Sequence, residues 1–167
     1  IAPKNKGNIF YYNKLKKCYY VDLMNRLVQG IRKNLQVKNI DKLRHIFSNE
    51  NFNFLQNYNI QFHNLNPEAT GYIKQPIYSE DNFELFYIKW PHMKNTTVHS
   101  HNGHCLFKIL SGELNENIYS TYLDSYNLSL SKTLKTGDIS YMNHNLGFHE
   151  VINKKKGDAY SIHLYIN

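Results

Sequence analysis

Cysteine is scarce in this chain: Cys18 and Cys105 are its two thiols among 167 residues. Two thiols make no disulfide framework for a small secreted domain, so a cytoplasmic setting is expected. Long apolar runs are lacking too, and no membrane span is expected. No charged-then-apolar leader opens the chain at Ile1, so it reads as a trimmed piece with no support for secretion. Acidic residues are the minority charge, 13 against 20 basic, which leaves +7. Such an excess would suit nucleic acid. Its local concentrations, however, are Lys14, Lys16 and Lys17, then Lys154, Lys155 and Lys156, and neither lines up with a recognised helix or aromatic-platform motif. They read as solvated surface, with no nucleic-acid or membrane partner. Internal repeats and low-complexity linkers are absent, and the length suits one substantial core.

What is present divides in two. Up to about Lys17 the chain is polar, basic and tyrosine-rich without periodicity, and reads as an irregular lead-in. Val21, Met24, Leu27, Val28, Ile31 and Leu35 then recur at three- and four-residue steps, one apolar stripe of a helix that Gly30 weakens by roughly 1 kcal/mol. Asn39 is placed to cap a second helix carrying Ile40, Leu43, Ile46 and Phe47, and a short helical piece is expected over 52–57. After Pro67 the texture changes to short runs rich in Tyr, Phe, Ile and Val between turn residues. Strands are expected at 72–78, 83–90, 105–110, 114–120, 139–142, 148–152 and 159–166, with turns at Ser111-Gly112 and at Thr136-Gly137-Asp138. Strands so spaced build a sandwich or barrel. The expected organisation is one structural domain: a lead-in with helices over 1–66, packed on the outside of a β-barrel over 67–167.

The chemistry concentrates in Val98-His-Ser-His-Asn-Gly-His-Cys-Leu-Phe-Lys-Ile-Leu-Ser-Gly112. If this stretch is extended, His99 and His101 project to one face and can present two imidazoles to one ion. Ring nitrogens about 2.0–2.2 Å from a divalent ion suit iron, zinc, copper or nickel. His149 is the candidate third ligand. Single histidines are more often structural, and His45, His63, His92 and His144 read that way, as does His104, which alternation puts on the opposite face. Cys105 taken alone reads as a small buried hydrophobe. Near the end, Ser161, His163 and Tyr165 share one strand face while Ile162, Leu164 and Ile166 share the other, a polar row suited to a cavity wall.

The spacing from His99 and His101 through Cys105 to Gly112 resembles the first cupin motif with its usual Glu replaced by Cys105. A weaker second half runs from Gly137 to His149 and Asn153. Together with Gly147-Phe-His-Glu-Val-Ile-Asn153 and Ser161-Ile-His-Leu-Tyr165, the pattern resembles the cysteine dioxygenases of the thiol dioxygenase branch, over about residues 72–165. That resemblance implies a mainly β, jelly-roll-like cupin barrel. It implies Fe(II) held by His99, His101 and His149, and a Cys105–Tyr165 thioether crosslink. His163 and Ser161 would order the Tyr165 hydroxyl, and the partners would be L-cysteine and O2, acted on by a monomer. Without the cupin carboxylate, three neutral imidazoles leave the ion its full charge for an anionic thiolate. The family's substrate carboxylate meets an Arg two residues after a Tyr; Tyr72-Ile-Lys74 puts Lys74 there, a point charge in place of a two-pronged fork. Other readings stay open: another small thiol as substrate, a non-catalytic metal-binding cupin acting as sensor, or a three-histidine zinc hydrolase.

Overall fold

The computed structural model describes residues 6–36, 39–57 and 71–167, with backbone alone for 6–16 and 56–57. It separates into two compact units, Ile1–Gln61 and Phe62–Asn167. The expected boundary at 66/67, His63 and the first five residues of the lead-in lie outside the described residues.

In the first unit, α1 spans Lys6–Gln36, α2 Ile40–Asn49 and α3 Asn53–Asn57. The irregular lead-in is therefore corrected: the helix begins at Lys6. The cost of helix formation lies in the first turn, and once the downstream stripe is packed, a preceding run free of proline extends it one hydrogen bond per residue. Met24, Leu27, Val28 and Ile31 are buried as the stripe requires, whereas Val21 is 45% exposed and lies off it. Asn39 caps α2, its side-chain oxygen accepting from the Lys42 N–H at 2.9 Å. That turns Leu43 and Phe47 inward, where Phe47 meets Phe52 at 5.4 Å between ring centroids.

In the second unit the strands are β1 Ile73–Glu80, β2 Phe83–Trp90, β3 His104–Ser111, β4 Glu113–Tyr122, β5 Ser125–Lys135, β6 Ile139–Asn143, β7 Phe148–Ile152 and β8 Ala159–Ile166. One sheet runs β1-β2-β8-β3-β6 and the other β5-β4-β7, every pairing antiparallel. Both contribute to one core, with Ile88, Trp90, Cys105, Phe107, Ile109 and Met142 from the first and Leu114, Leu134 and Val151 from the second. This is the mainly β, jelly-roll-like architecture that the resemblance implied, and one of the two that the strand spacing allowed. Strand β8 is central, and both its faces are buried: Ser161 and His163 on one, Ile162 and Leu164 on the other.

Strand β5 was not expected. Tyr126, Leu128, Leu130 and Leu134 alternate with Asn127, Ser129, Ser131 and Thr133, a period-2 pattern passed over among the Ser, Asn and Lys residues, and the strand pairs with β4 along its whole length, from Glu113↔Lys135 to Tyr122↔Ser125. Leu123 and Asp124 close this hairpin with φ of 47° and 60°, the left-handed pair that a two-residue turn between twisted strands demands. Gly103 is required for a different reason. A Cβ there would come within 1.9 Å of the Ile166 carbonyl oxygen, so only glycine lets the segment after His101 pass the end of β8 into β3.

Candidate metal centre

His99 and His101 do not lie in a regular strand, contrary to the extended reading of their segment. His99 instead makes an isolated antiparallel bridge with His149 on β7: His99 N–H donates to the His149 carbonyl at 3.0 Å and His149 N–H to the His99 carbonyl at 2.7 Å. A reciprocal pair of this kind puts the two side chains opposite one another on one face. The rings of His99 and His149 stand 4.6 Å apart, and those of His99 and His101 4.8 Å. One ring nitrogen from each histidine lies within 4.8 Å of the others. His101 Nε2 is 2.9 Å from His149 Nε2. Two nitrogens each about 2.1 Å from one ion and at right angles about it stand about 3 Å apart, so the spacing fits a shared metal.

The tautomers fit as well. His99 Nδ1–H donates to the Thr97 carbonyl at 2.9 Å, and His149 Nδ1–H to Glu116 Oε1 at 2.7 Å, which leaves Nε2 of both rings as lone pairs. Burial lowers the pKa of His99, and burial followed by the neighbouring His149 and His99 brings His101 down to about 3, so both rings are neutral near pH 7. Neutral imidazoles are what a divalent first-row ion takes.

Glu116 was not anticipated. It is fully buried on β4, between Leu114 and Ile118 on the same strand face. Its Oε2 accepts from Lys132 Nζ at 2.8 Å and from the Ser140 hydroxyl, and Lys132 Nζ also reaches Ser140 Oγ at 2.8 Å. Burial pushes the carboxyl toward protonation, but the hydrogen bonds from His149, Lys132 and Ser140 and the Lys132 charge outweigh it and hold its pKa below the ordinary value. Its signal in the sequence is a carboxylate in register with an apolar strand face. Lys132 carries the same signal, a charge in register with Tyr126, Leu128, Leu130 and Leu134, and was missed because its strand went unrecognised.

On the opposite wall, Cys105 of β3 and Tyr165 of β8 are directly paired across the ladder. Burial first raises the pKa of both. Behind them runs a relay. Trp90 Nε1–H donates to Ser161 Oγ at 2.8 Å, so the single Ser161 proton goes to His163 Nε2 at 2.9 Å. A neutral His163 then carries its proton on Nδ1, 3.4 Å from the Tyr165 hydroxyl. His163 is kept neutral by burial first and then by the charge of Lys74, with the nearby imidazoles acting in the same direction. Trp90, the chain's single tryptophan, is the member of this relay that sequence reasoning passed over.

Tyr72, Trp90, the three clustered histidines, Cys105, His163 and Tyr165 line one cavity. Tyr72 stacks on Trp90 at 4.8 Å. Lys74 Nζ sits 3.9 Å from the centroid of Phe86 and 4.3 Å from that of Tyr165, close enough to shift the clustered histidines electrostatically. Burial lowers the pKa of Lys74, against smaller opposing effects of Cys105 and Glu84. The remaining described histidines are not members of the cluster. His104 bonds the Tyr141 hydroxyl at 2.6 Å, His92 the Lys155 carbonyl at 2.7 Å and His45 the Asn49 amide at 2.8 Å, while His144 opens a short 3-10 turn.

A family model described as cysteine dioxygenase type I matches residues 13–167. Cysteine dioxygenase type 1 of Rattus norvegicus and that of Homo sapiens are each 31% identical to this chain over 88 residues, a stretch covering 50% of this chain and 44% of the relative. The chain thus matches under half of the length of those relatives. Among solved structures, an oxalate oxidase in complex with the substrate analogue glycolate superposes with a TM-score of 0.50 at 15% identity, covering 59% of this chain and 52% of the neighbour, a likeness of fold alone. With three histidines converging beside a buried Cys–Tyr pair on a cupin-type scaffold, and with a family match that takes in every β-strand, this chain belongs to the cysteine dioxygenase type I family.

Proposed function

We propose that this protein is an iron-dependent thiol dioxygenase that oxidises L-cysteine with O2 to cysteine sulfinic acid, with Fe(II) held by His99, His101 and His149. The observation that supports this reading most is the convergence of three imidazoles, with Cys105 and Tyr165 across the same cavity. Ferrous iron, when bound, supplies a site for the substrate thiolate and the activation of dioxygen. Both oxygen atoms of O2 end on the substrate sulfur, the sulfinic rung of thiol oxidation, so RSH and O2 give RSO2H with no other reductant. The chain's own residues orient and shield. Tyr165, fixed by His163 and Ser161, presents a hydroxyl to the reacting sulfur and oxygens. Lys74 supplies the cation for the substrate carboxylate, and Tyr72 on Trp90 closes that side of the cavity. Cys105 and Tyr165 are placed to form a thioether, each giving up one hydrogen, with dioxygen as the acceptor. In this reading the partners are a small thiol and O2, and the protein acts as a monomer.

Lys74 favours a second reading at the level of substrate. Its ammonium rests over two aromatic rings and offers no planar fork, so in this second reading the substrate is another small thiol, one that needs only a single point of charge. The test is oxygen uptake by iron-loaded protein against a panel of thiols, with sulfinic acid identified by mass. Cysteine-dependent uptake supports the first reading, and uptake with a different thiol alone the second. A zinc form that hydrolyses esters while the iron form consumes no oxygen would replace both, and metal binding without any turnover would leave a sensor. A 2 Da loss in the peptide pair containing Cys105 and Tyr165 would report the thioether.

A further inference from the structure

The three clustered histidines are held differently. His99 donates to a neutral backbone carbonyl, that of Thr97. His149 donates to Glu116, a buried carboxylate at 2.7 Å with no exposed surface. A carboxylate behind an imidazole fixes the ring's tautomer and orientation and increases electron density at the opposite nitrogen. Such a group is useful only if it is itself fixed. Glu116 is: β5 and β4 put Lys132 directly opposite it in register, and Ser140 of β6 reaches the same Oε2. Lys132 is thereby the one inward-turned cation on a strand whose other polar residues face solvent. Ser140 ties it down from the other sheet.

We propose that Glu116 is a positioning residue for the metal ligand His149, and that Lys132, with Ser140, holds Glu116 in place, so that strand β5 governs how tightly the site keeps its ion. His149 becomes the strongest of the three ligands. Lys132 also balances the charge of Glu116, which keeps that carboxylate a hydrogen-bond acceptor toward His149 and spares the ion a directly competing anion. The inference rests on the reading of the three histidines as a metal site.

Competition of zinc and of cobalt against a chelator, followed for cobalt by its visible absorption, tests it on the full chain, with thermal melting of each metal-free variant in parallel. Parent protein should bind one ion; if it binds none, both this inference and the metal reading fall. Glu116→Gln should weaken binding roughly 10- to 100-fold and shift the cobalt bands, because the amide can accept from His149 but no longer brings a charge. Lys132→Met should weaken it by a smaller factor, roughly 3- to 10-fold, and Lys132→Arg should restore most of that loss. The double variant Glu116→Gln with Lys132→Met leaves no unpaired buried charge, and so separates folding from positioning: it should melt close to the parent and still bind weakly. Parental affinity and an unchanged cobalt spectrum in Glu116→Gln, or affinity losses that vanish in the double variant, would overturn the inference while leaving the metal reading intact.

Discussion

Two hydrogen-bonded networks reach the cavity from its two sheets, and they are built on opposite electrostatic plans. The network behind His149 is ionic: Glu116 and Lys132 are paired across β4 and β5, with Ser140 filling the remaining contact. The network behind Tyr165 is neutral: Trp90, Ser161 and His163 pass hydrogen bonds in one direction and no formal charge appears. An ion pair with one partner fully buried is costly unless its geometry is good, and here it is anchored on three strands. A neutral relay costs less to bury and fixes direction, because tryptophan only donates. The comparison teaches a division of labour: charge is kept one bond away from the candidate ligand, and an uncharged, oriented hydroxyl faces the substrate side. Breaking each network should therefore have different consequences.

The largest effect belongs to the ligand itself. His149→Ala should remove the metal and abolish oxygen uptake to background, since two imidazoles rarely hold a labile divalent ion against solvent. Metal content by elemental analysis, alongside oxygen uptake, checks both. Retained iron with lost turnover would place His149 on the substrate side and undo the contrast between the networks.

Next comes Lys74, the cation on the neutral side. A charge-assisted hydrogen bond to a carboxylate is worth roughly 1.5–3 kcal/mol, so Lys74→Ala should lower kcat/KM for L-cysteine by about one to two decades. Cysteamine, which has no carboxylate, should be turned over almost as before, and Lys74→Arg should favour L-cysteine if the fork reaches both oxygens. Equal losses on the two thiols would mean that Lys74 serves packing over Phe86 and Tyr165.

Ser161→Ala cuts the neutral relay in its middle. It should lower kcat roughly tenfold, the equivalent of one hydrogen bond of about 1.4 kcal/mol, while metal content stays at the parental level. Metal retention with reduced turnover is the signature that separates this network from the one behind His149.

The two networks also differ in how legible they were. Strand β8 announces itself: Ser161, His163 and Tyr165 alternate with Ile162, Leu164 and Ile166, and the structure puts His163 and Tyr165 in the cavity lining with Ser161 hydrogen-bonded to His163. The convergence of His99, His101 and His149 could be read from motif spacing, although the bridge that joins His99 to His149 is a long-range contact that no local pattern encodes. Lys132 was missed because the alternation of its strand, Tyr126, Leu128, Leu130 and Leu134 against polar residues, was passed over, and because its partner Glu116 comes from β4. Glu116 had a signal, a charge on an apolar strand face, but its meaning needs two partners from other strands. In the helical unit, the cap at Asn39 was legible because it is local, whereas the reach of α1 back to Lys6 depends on cooperative extension.

The smallest expected effect tests the neutrality of the relay directly. His163 is buried, and its folded-state pKa is held well below 6.5, chiefly by burial and then by the charge of Lys74 and the neighbouring rings. In the unfolded chain the same ring titrates near 6.5. Above that pH both states are neutral at His163 and it contributes its full native stability. As pH falls below it, the unfolded state takes up a proton that the folded state refuses, so stability is lost with acid, by about 0.7 kcal/mol between pH 7 and pH 6 for this one group. His163→Gln has no proton to take up. The ring pKa values of His99 and His101 are also lowered, but they are common to both proteins and cancel in the difference. The melting temperature of the parent should therefore drop about 1–3 °C further than that of His163→Gln over this interval. Parallel pH profiles would mean that the folded protein takes up a proton on His163 as readily as the unfolded chain does, and a parent that loses less stability than His163→Gln would mean that the ring is held as a cation facing Tyr165; either result would undo the neutral relay.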